Sequence, residues 1–460
     1  MKAVVLVTVL AACGSSERQT ASGTAPTEFE PPPPPPPDET FEQMKARFEA
    51  EKPQFMARQL AELLLRYDLE DQPGTESMTR GKPVQTGVRT KLREDLTWDQ
   101  LAMMSPDEIK ASDAFPRGFM PLPHPRHLEG GMLFPRFVIE EVERQTGRDL
   151  ERFDLDFDLP DHLLPEFPPA IFLTTRPDLG DVSQGQLVTT HNFHALFKDK
   201  LNSKQLDGLR LLVLPFAQQQ FNLIDDRRSA EPQLGVACFD CHINGHTNGA
   251  THLVGDIRPQ EHRNRIETPS LRGVAFQELF GSQRALMSVE DFTEFEQRAA
   301  YFDGDIDKAA LKGMNPLDRA SQVQHMAEVQ RLLDFPPAPK LDVLGRLTTA
   351  ASAAEQRGEA LFHGKARCVT CHSGVHFTDN DSHDLQLERF FTERVINDMV
   401  VNGDGSIKTF PLRGIKDSPP YLHDGRLLTL GDTIEFFNLV LELRLSQDEK
   451  ADLLAYLLVL

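Results

Sequence analysis

The sequence predicts a mainly α fold in which one helical unit occurs twice in tandem behind a loop-rich N-terminal extension. Three observations carry this. The pentapeptide Cys238-Phe239-Asp240-Cys241-His242 returns as Cys368-Val369-Thr370-Cys371-His372. Each copy is followed by a Leu-Arg-Gly segment, Thr268-Pro269-Ser270-Leu271-Arg272-Gly273-Val274 and then Thr409-Phe410-Pro411-Leu412-Arg413-Gly414-Ile415. Apolar residues at helical spacing flank both copies, so each unit reads as helix, pentapeptide, loop, Leu-Arg-Gly, helix. Cys-x-x-Cys-His is the attachment pattern of c-type haem. The two thiols bond the porphyrin, and the histidine places its imidazole on the iron. Two covalently bound haem c groups are therefore expected, on Cys238, Cys241 and His242 and on Cys368, Cys371 and His372.

At the N-terminus, Lys2 precedes an apolar run from Ala3 that ends at Leu10-Ala11-Ala12-Cys13. A basic start, a short apolar middle and small residues before a cut are the layout of a secretory signal. The run is too short to span a bilayer as a helix. Its ending resembles a lipobox, whose cysteine is lipidated; the other reading is a plain secretory signal with a chance cysteine. Residues 1–13 are thus expected to be a lipoprotein signal peptide. Gly14 stands where the sorting pattern reserves Asp for the inner membrane, so the expected place is the periplasm, lipid-anchored to the outer membrane. Residues 14–40 form a polar linker, and the unbroken run from Pro31 to Pro37 predicts a polyproline II spacer.

Residues 41–205 are the extension. Phe41, Met44, Phe48, Phe55, Leu60, Leu63 and Leu64 predict a helix from Glu42 to about Tyr67 with a break at Pro53. Residues 115–180, rich in proline and acidic residues, read as a layer that wraps another domain without a core of its own. Residues 206–340 and 341–460 are the two expected cytochrome c-like haem domains, joined near Asp334–Pro339. A helical pattern over 205–224 leads into the first pentapeptide. Others cover Val289–Tyr301, Ala320–Leu333, Ala353–Phe362, Leu430–Leu441 and Ser446–Leu460, the last opening on a Ser446/Glu449 capping-box spacing. The formal charge of −21 argues against nucleic acid and anionic membranes as partners. It suits a basic redox protein arriving by electrostatic steering, although a solvated acidic surface is the simpler reading. Arg272 and Arg413 either pair with haem propionates or hold their own loops through backbone contacts.

These residues resemble the bacterial di-haem cytochrome c peroxidase superfamily, which includes the di-haem enzymes of methylamine utilisation. The likeness covers roughly residues 206–460. It rests on both haem motifs, both Leu-Arg-Gly segments, Cys371-His372-Ser373-Gly374 running into Phe377-Thr378-Asp379, and Ser418-Pro419-Pro420-Tyr421-Leu422-His423-Asp424-Gly425-Arg426. The resemblance implies that His242 is the proximal ligand of a reactive haem and His372 that of an electron-relay haem. It implies a haem-site role for His423, and a calcium site formed by Ser418, Pro420 and Glu267. Asn fills the Glu267 position in the family, and a carboxylate oxygen also suits calcium. Two departures stand out. The family's Met or Tyr ligand to the relay iron falls on Phe437, which cannot bind iron, so that haem is either open or bound by another residue, with His383, His376 and Met399 as candidates. The family's inter-haem tryptophan falls near Gly281, and the only tryptophan is Trp98; Tyr421 is an alternative aromatic relay.

Peroxide cleavage needs an open iron face and a group that moves a proton between the two oxygens. His246, His252 and His262 follow His242. Counting to the family's removable histidine cap lands on Arg258, so His252 is the expected distal ligand or acid–base group. Glu290, Glu294 and Glu296 are the acidic candidates, with Glu290 and Glu294 on one helix face. The expected function is reduction of hydrogen peroxide to water with electrons from a small cytochrome c or cupredoxin. An oxidase or oxygenase of an organic or protein substrate stays open, as does a non-catalytic electron-transfer cytochrome, because fold alone does not separate them. A homodimer is among the expected assemblies.

Overall fold

Helices Ser203–Val213 and Arg319–Gln330 cross at Gly208, where a Cβ would stand 2.0 Å from the His325 carbonyl oxygen. Helices Ala353–His363 and Gln447–Leu457 repeat the arrangement at Gly358, 2.1 Å from the Asp452 carbonyl oxygen. Only glycine lets the two backbones come this close. We call these the opening and closing helices of the first and second repeat. The computed structural model describes residues 41–112, 117–120, 132–148, 150, 155–157, 159–215, 217–218, 233–234, 236–254, 264–297, 319–390, 394–396, 399–401 and 405–460. Met1–Pro37 and Asp38–Leu460 are separate units, and the former lies outside the described residues, as do Cys13, Arg258 and His262. No helix among the described residues is long and apolar enough to cross a membrane.

The repetition continues beyond the helices. Gly273 and Gly414, both with φ 71°, donate their N–H groups to the last residue or so of the closing elements, to Leu333 O at 2.8 Å and to Leu460 O at 3.0 Å. Each glycine starts a 3-10 turn, Val274–Phe276 and Ile415–Asp417. Each turn leads into a one-bridge hairpin, Phe280 with Leu286 and Tyr421 with Leu427. Each hairpin delivers a capped helix, Ser288 before Val289–Phe295 and Thr429 before Leu430–Val440. The repeats also exchange bonds across their seam. Glu267 N donates to His423 O at 2.7 Å, and the matching Lys408 N donates to Ser282 O at 2.9 Å. The described residues are thus helix-rich with little sheet.

The extension wraps both repeats. Met78, Val84, Leu101, Ile109, Phe119 and Met120 share one apolar cluster with Phe362, Phe377 and Phe436 of the second repeat. Val138, Ile139, Val142 and Leu187 cluster with Val236, Ile243 and Leu286 of the first. Its fully buried polar contacts point the same way. Tyr67 donates to Arg426 O at 2.7 Å, and Arg89 N and Thr90 N donate to Asp432 Oδ1 at 2.8 and 2.9 Å. Two sequence expectations are corrected here. Helix Phe41–Arg66 runs unbroken through Pro53, because Pro53 sits on the exposed side, where water can take up the carbonyl that loses its partner. The helical pattern over 205–224 stops at Val213, because Pro215 holds Leu214 in an extended conformation, φ −89° and ψ 125°.

Candidate haem cavity

In both pentapeptides the histidine is mounted in the same way. His242 Nδ1 donates to Pro269 O at 2.9 Å and His372 Nδ1 donates to Phe377 O at 2.9 Å. A carbonyl can only accept, so the tautomer is fixed and Nε2 carries the lone pair, as an iron ligand requires. Burial pushes the His242 pKa down to about 4, which keeps the ring neutral, and burial lowers that of His372 too. Both rings border one cavity of about 460 Å³, together with Cys368 and Cys371. None of Cys238, Cys241, Cys368 and Cys371 is in a disulfide.

The first pentapeptide forms a short helical turn, Cys238–Cys241. Asp240 caps it by accepting from Ala237 N at 2.7 Å, and Arg148 of the extension holds Asp240 with two bonds of 2.6 Å. The loop behind it is buried, an unusual place for a Gly/Asn-rich segment. Asn side chains supply the backbone partners that water would otherwise provide. Asn244 accepts from Val188 N at 2.9 Å, and Asn248 accepts from Ala250 N at 2.9 Å while donating to Asp240 O at 2.6 Å.

Other residues singled out in the sequence fall into three groups. Some border the cavity. His252 lies on strand Thr251–Val254, paired with Ile266 on one side and Met132 of the extension on the other. Its Nε2 lies 2.8 Å from Thr268 Oγ1, whose own proton goes to Ala250 O at 3.0 Å, so Nε2–H donates and Nδ1 is the basic nitrogen. Glu267 accepts from Thr247 Oγ1 at 2.5 Å, and burial holds its carboxyl well above the usual range. Ser418, Pro420, Tyr421 and His423 border the cavity too. His246 donates from Nε2 to Asp417 O at 2.9 Å across the repeat seam and accepts from Ser270 Oγ at 2.8 Å. His383 borders the cavity, but its Nε2 is taken by Asp379 Oδ2 at 2.7 Å.

A second group is held elsewhere. Glu290 is paired to Arg331 through two bonds of 2.6 Å, which depress its pKa, and neither it nor Glu294 borders the cavity. Helix Val289–Phe295 turns Val289 and Phe292 inward, and Glu296 falls on that same face at its C-cap. The four-residue spacing of Glu290 and Glu294 thus marks the face turned away; the apolar spacing of Val289 and Phe292 was the signal that pointed to Glu296. His376 does not border the cavity either. It stacks on Phe276 at 4.1 Å between centroids and on Phe335 at 5.8 Å. The side chain of Met399 lies outside the described residues.

The arginines form the third group. Arg272 is buried, pairs with Asp417 at 3.3 Å and donates to Ala170 O at 2.7 Å, while its buried Nε has no partner. Arg413 donates to Leu460 O at 3.0 Å. Both border the cavity. Two neutral imidazoles with lone pairs on Nε2, the Cys368/Cys371 thiol pair and a guanidinium with a spare buried donor are a donor set that fits haem c and its propionates, while Cys238 and Cys241 do not border the cavity.

No family model matches the chain. It is 32% identical to the methylamine utilization protein MauG of Methylorubrum extorquens over 24% of this chain and 35% of that protein. It is 29% identical to MauG of Methylophilus methylotrophus over 48% of this chain and 76% of that protein. It is 29% identical to cytochrome-c peroxidase IdrP2 of Pseudomonas sp. over 25% of this chain and 41% of that protein. The chain therefore spans well under two thirds of the length of the first and third of these relatives. A solved MauG-like protein associated with microbial copper homeostasis aligns over 56% of this chain and 88% of that one, at 20% identity and a TM-score of 0.39. Over part of its length, this protein is a homologue of MauG and of cytochrome-c peroxidases, the superfamily that its motifs resemble.

Proposed function

We propose that this protein is a periplasmic, lipid-anchored di-haem c-type oxidoreductase that reduces hydrogen peroxide to water. The observation that carries the reading is the duplicated histidine mount, two carbonyl-fixed imidazoles bordering one cavity. Haem, when bound, supplies redox-active iron that passes electrons to peroxide. The chain supplies the rest. Cys238, Cys241, Cys368 and Cys371 would anchor the two groups, His242 and His372 would bind the irons, and Arg272 and Arg413 would hold propionates. His252, with Nδ1 as its basic nitrogen, takes a proton from one peroxide oxygen and returns it to the other, and Glu296 is the second proton holder. Each peroxide takes up two electrons and two protons and yields two waters.

The electrons come from a small cytochrome c or cupredoxin reaching the second repeat, and Cys13 carries the lipid. Glu267 and Pro420 flank Gly425, whose added Cβ would meet both. A buried carboxyl suits calcium, and the carbonyls of Ser418 and Pro420 would complete the set that the resemblance implies. The test is peroxide consumption by the purified, fully reduced holoprotein with a donor cytochrome. Two donors oxidised per peroxide supports the reading, and untouched peroxide ends it.

Phe437 favours a second reading. It borders the cavity on an otherwise largely apolar face of helix Leu430–Val440, a wall that suits a different reaction at the second haem, the oxidation of an organic or protein substrate. In that case peroxide is consumed only with substrate present, and the donor cytochrome stays reduced.

A further inference from the structure

Lys408 occupies the place in the second repeat that Glu267 occupies in the first, and each makes the reciprocal backbone bond across the seam. It is 3% exposed and borders the cavity. Its Nζ donates to Leu279 O at 2.6 Å and to Gln277 Oε1 at 3.1 Å. It also lies 5.2 Å from the Phe280 ring centroid and 5.4 Å from that of Phe410. Every one of these contacts is electrically neutral. Among the described residues no carboxylate comes within ion-pair distance. Arg284 opposes its charge, and Glu278 favours it weakly.

An ammonium is rarely buried without a counter-charge, because neutral acceptors and ring faces return only part of its lost hydration. Burial here lowers the pKa to about 8, which still leaves the group protonated at neutral pH. Two of its three protons are accounted for. The group that the cavity is built to receive carries two carboxylates.

We propose that Lys408 is the internal counter-ion of a haem propionate at the seam between the repeats, and that its charge raises the reduction potential of that haem. The sign follows from Coulomb's law: a fixed positive charge stabilises the added electron. The inference rests on the di-haem reading and adds a residue that sets the potential from outside the iron's own ligands.

The experiment compares Lys408→Met and Lys408→Arg with the parent holoprotein by optical redox titration, after haem per chain has been counted by mass. Lys408→Met is expected to shift one midpoint potential downward with the haem spectra unchanged, and Lys408→Arg, which keeps the charge, to restore it. Should Lys408→Met fail to accumulate, Lys408→Gln makes the same comparison. Two haems with unmoved potentials in the charge-removing variant overturn this inference alone. An equal shift in Lys408→Arg also overturns it, since packing would then be the cause. Fewer than two covalent haems in the parent protein overturns the di-haem reading itself.

Discussion

In the first repeat helix Val289–Phe295 and its C-cap present Val289, Phe292 and Glu296 to the cavity; in the second, helix Leu430–Val440 presents Leu430, Thr433, Ile434, Phe436 and Phe437 to it. The frames carrying these side chains match, down to the glycine crossings, the left-handed Gly273 and Gly414 and the capped helices. Counted from the caps Ser288 and Thr429, the same step along each helix bears Glu296 in one repeat and Phe437 in the other. At the matching place before each Leu-Arg-Gly segment the first repeat bears Glu267 and the second Lys408. Duplication thus preserved the means of mounting an imidazole, while one matched helix position diverged from an ionisable Glu296 to an apolar Phe437. Under the proposed function, proton chemistry belongs with the first wall, which carries His252 and Glu296.

This contrast can be broken or sharpened by substitution. The largest effect is expected for His252→Ala, a drop in peroxide turnover of roughly 10³-fold. His383→Ala, its counterpart on the other wall, is expected to stay within about threefold, on the same reasoning that no proton moves there. Steady-state assays of the two holoproteins decide this, and equal losses would erase the division of labour. Next come the two glycines. A Cβ on Gly273 would stand 1.9 Å from Phe335 Cζ, whereas one on Gly414 would stand 2.8 Å from Pro336 Cδ. Gly273→Ala should therefore cost about 3 kcal/mol and Gly414→Ala about 1–2 kcal/mol, read from denaturant midpoints.

Arg148→Ala strands Asp240 without its partner and should cost about 2 kcal/mol. The second pentapeptide has Thr370 in that place, so no equivalent exists there. Chemical denaturation followed at each haem band would show the first site loosening before the second. The smallest effect is Tyr67→Phe, about 1 kcal/mol for a buried bond to Arg426 O. Loss beyond about 3 kcal/mol would mean that the extension carries the second repeat more heavily than one hydrogen bond allows.

The repeated frame could be read from the sequence because its parts are local. Cys-x-x-Cys-His, Leu-Arg-Gly and the Ser446/Glu449 cap each lie within a few residues, and the cap forms as the spacing predicts. What could not be read depends on distance. The orientation of helix Val289–Phe295 is decided by which face meets the cavity, and Glu290 is drawn off by Arg331 from a different helix. The burial of the loop after His242 likewise depends on distant segments, since Asn244 accepts from Val188 N and donates to Pro169 O of the extension. Pro53 misled for the opposite reason: a proline removes one helix hydrogen bond and crowds one carbonyl, and on the exposed side water can take up the carbonyl left without its partner.

The extension's contacts have a consequence for the order in which the molecule can be built. Tyr67 needs Arg426, Thr79 needs Asp417 and Arg89 needs Asp432. A chain made from its N-terminus therefore holds its first segment unsatisfied until nearly the whole polypeptide exists. Contacts of such sequence separation form late and slowly. The stretch from Tyr67 to Arg89 therefore settles last, after the part of the extension that carries Arg148 and Val188 has already met the first pentapeptide and its loop.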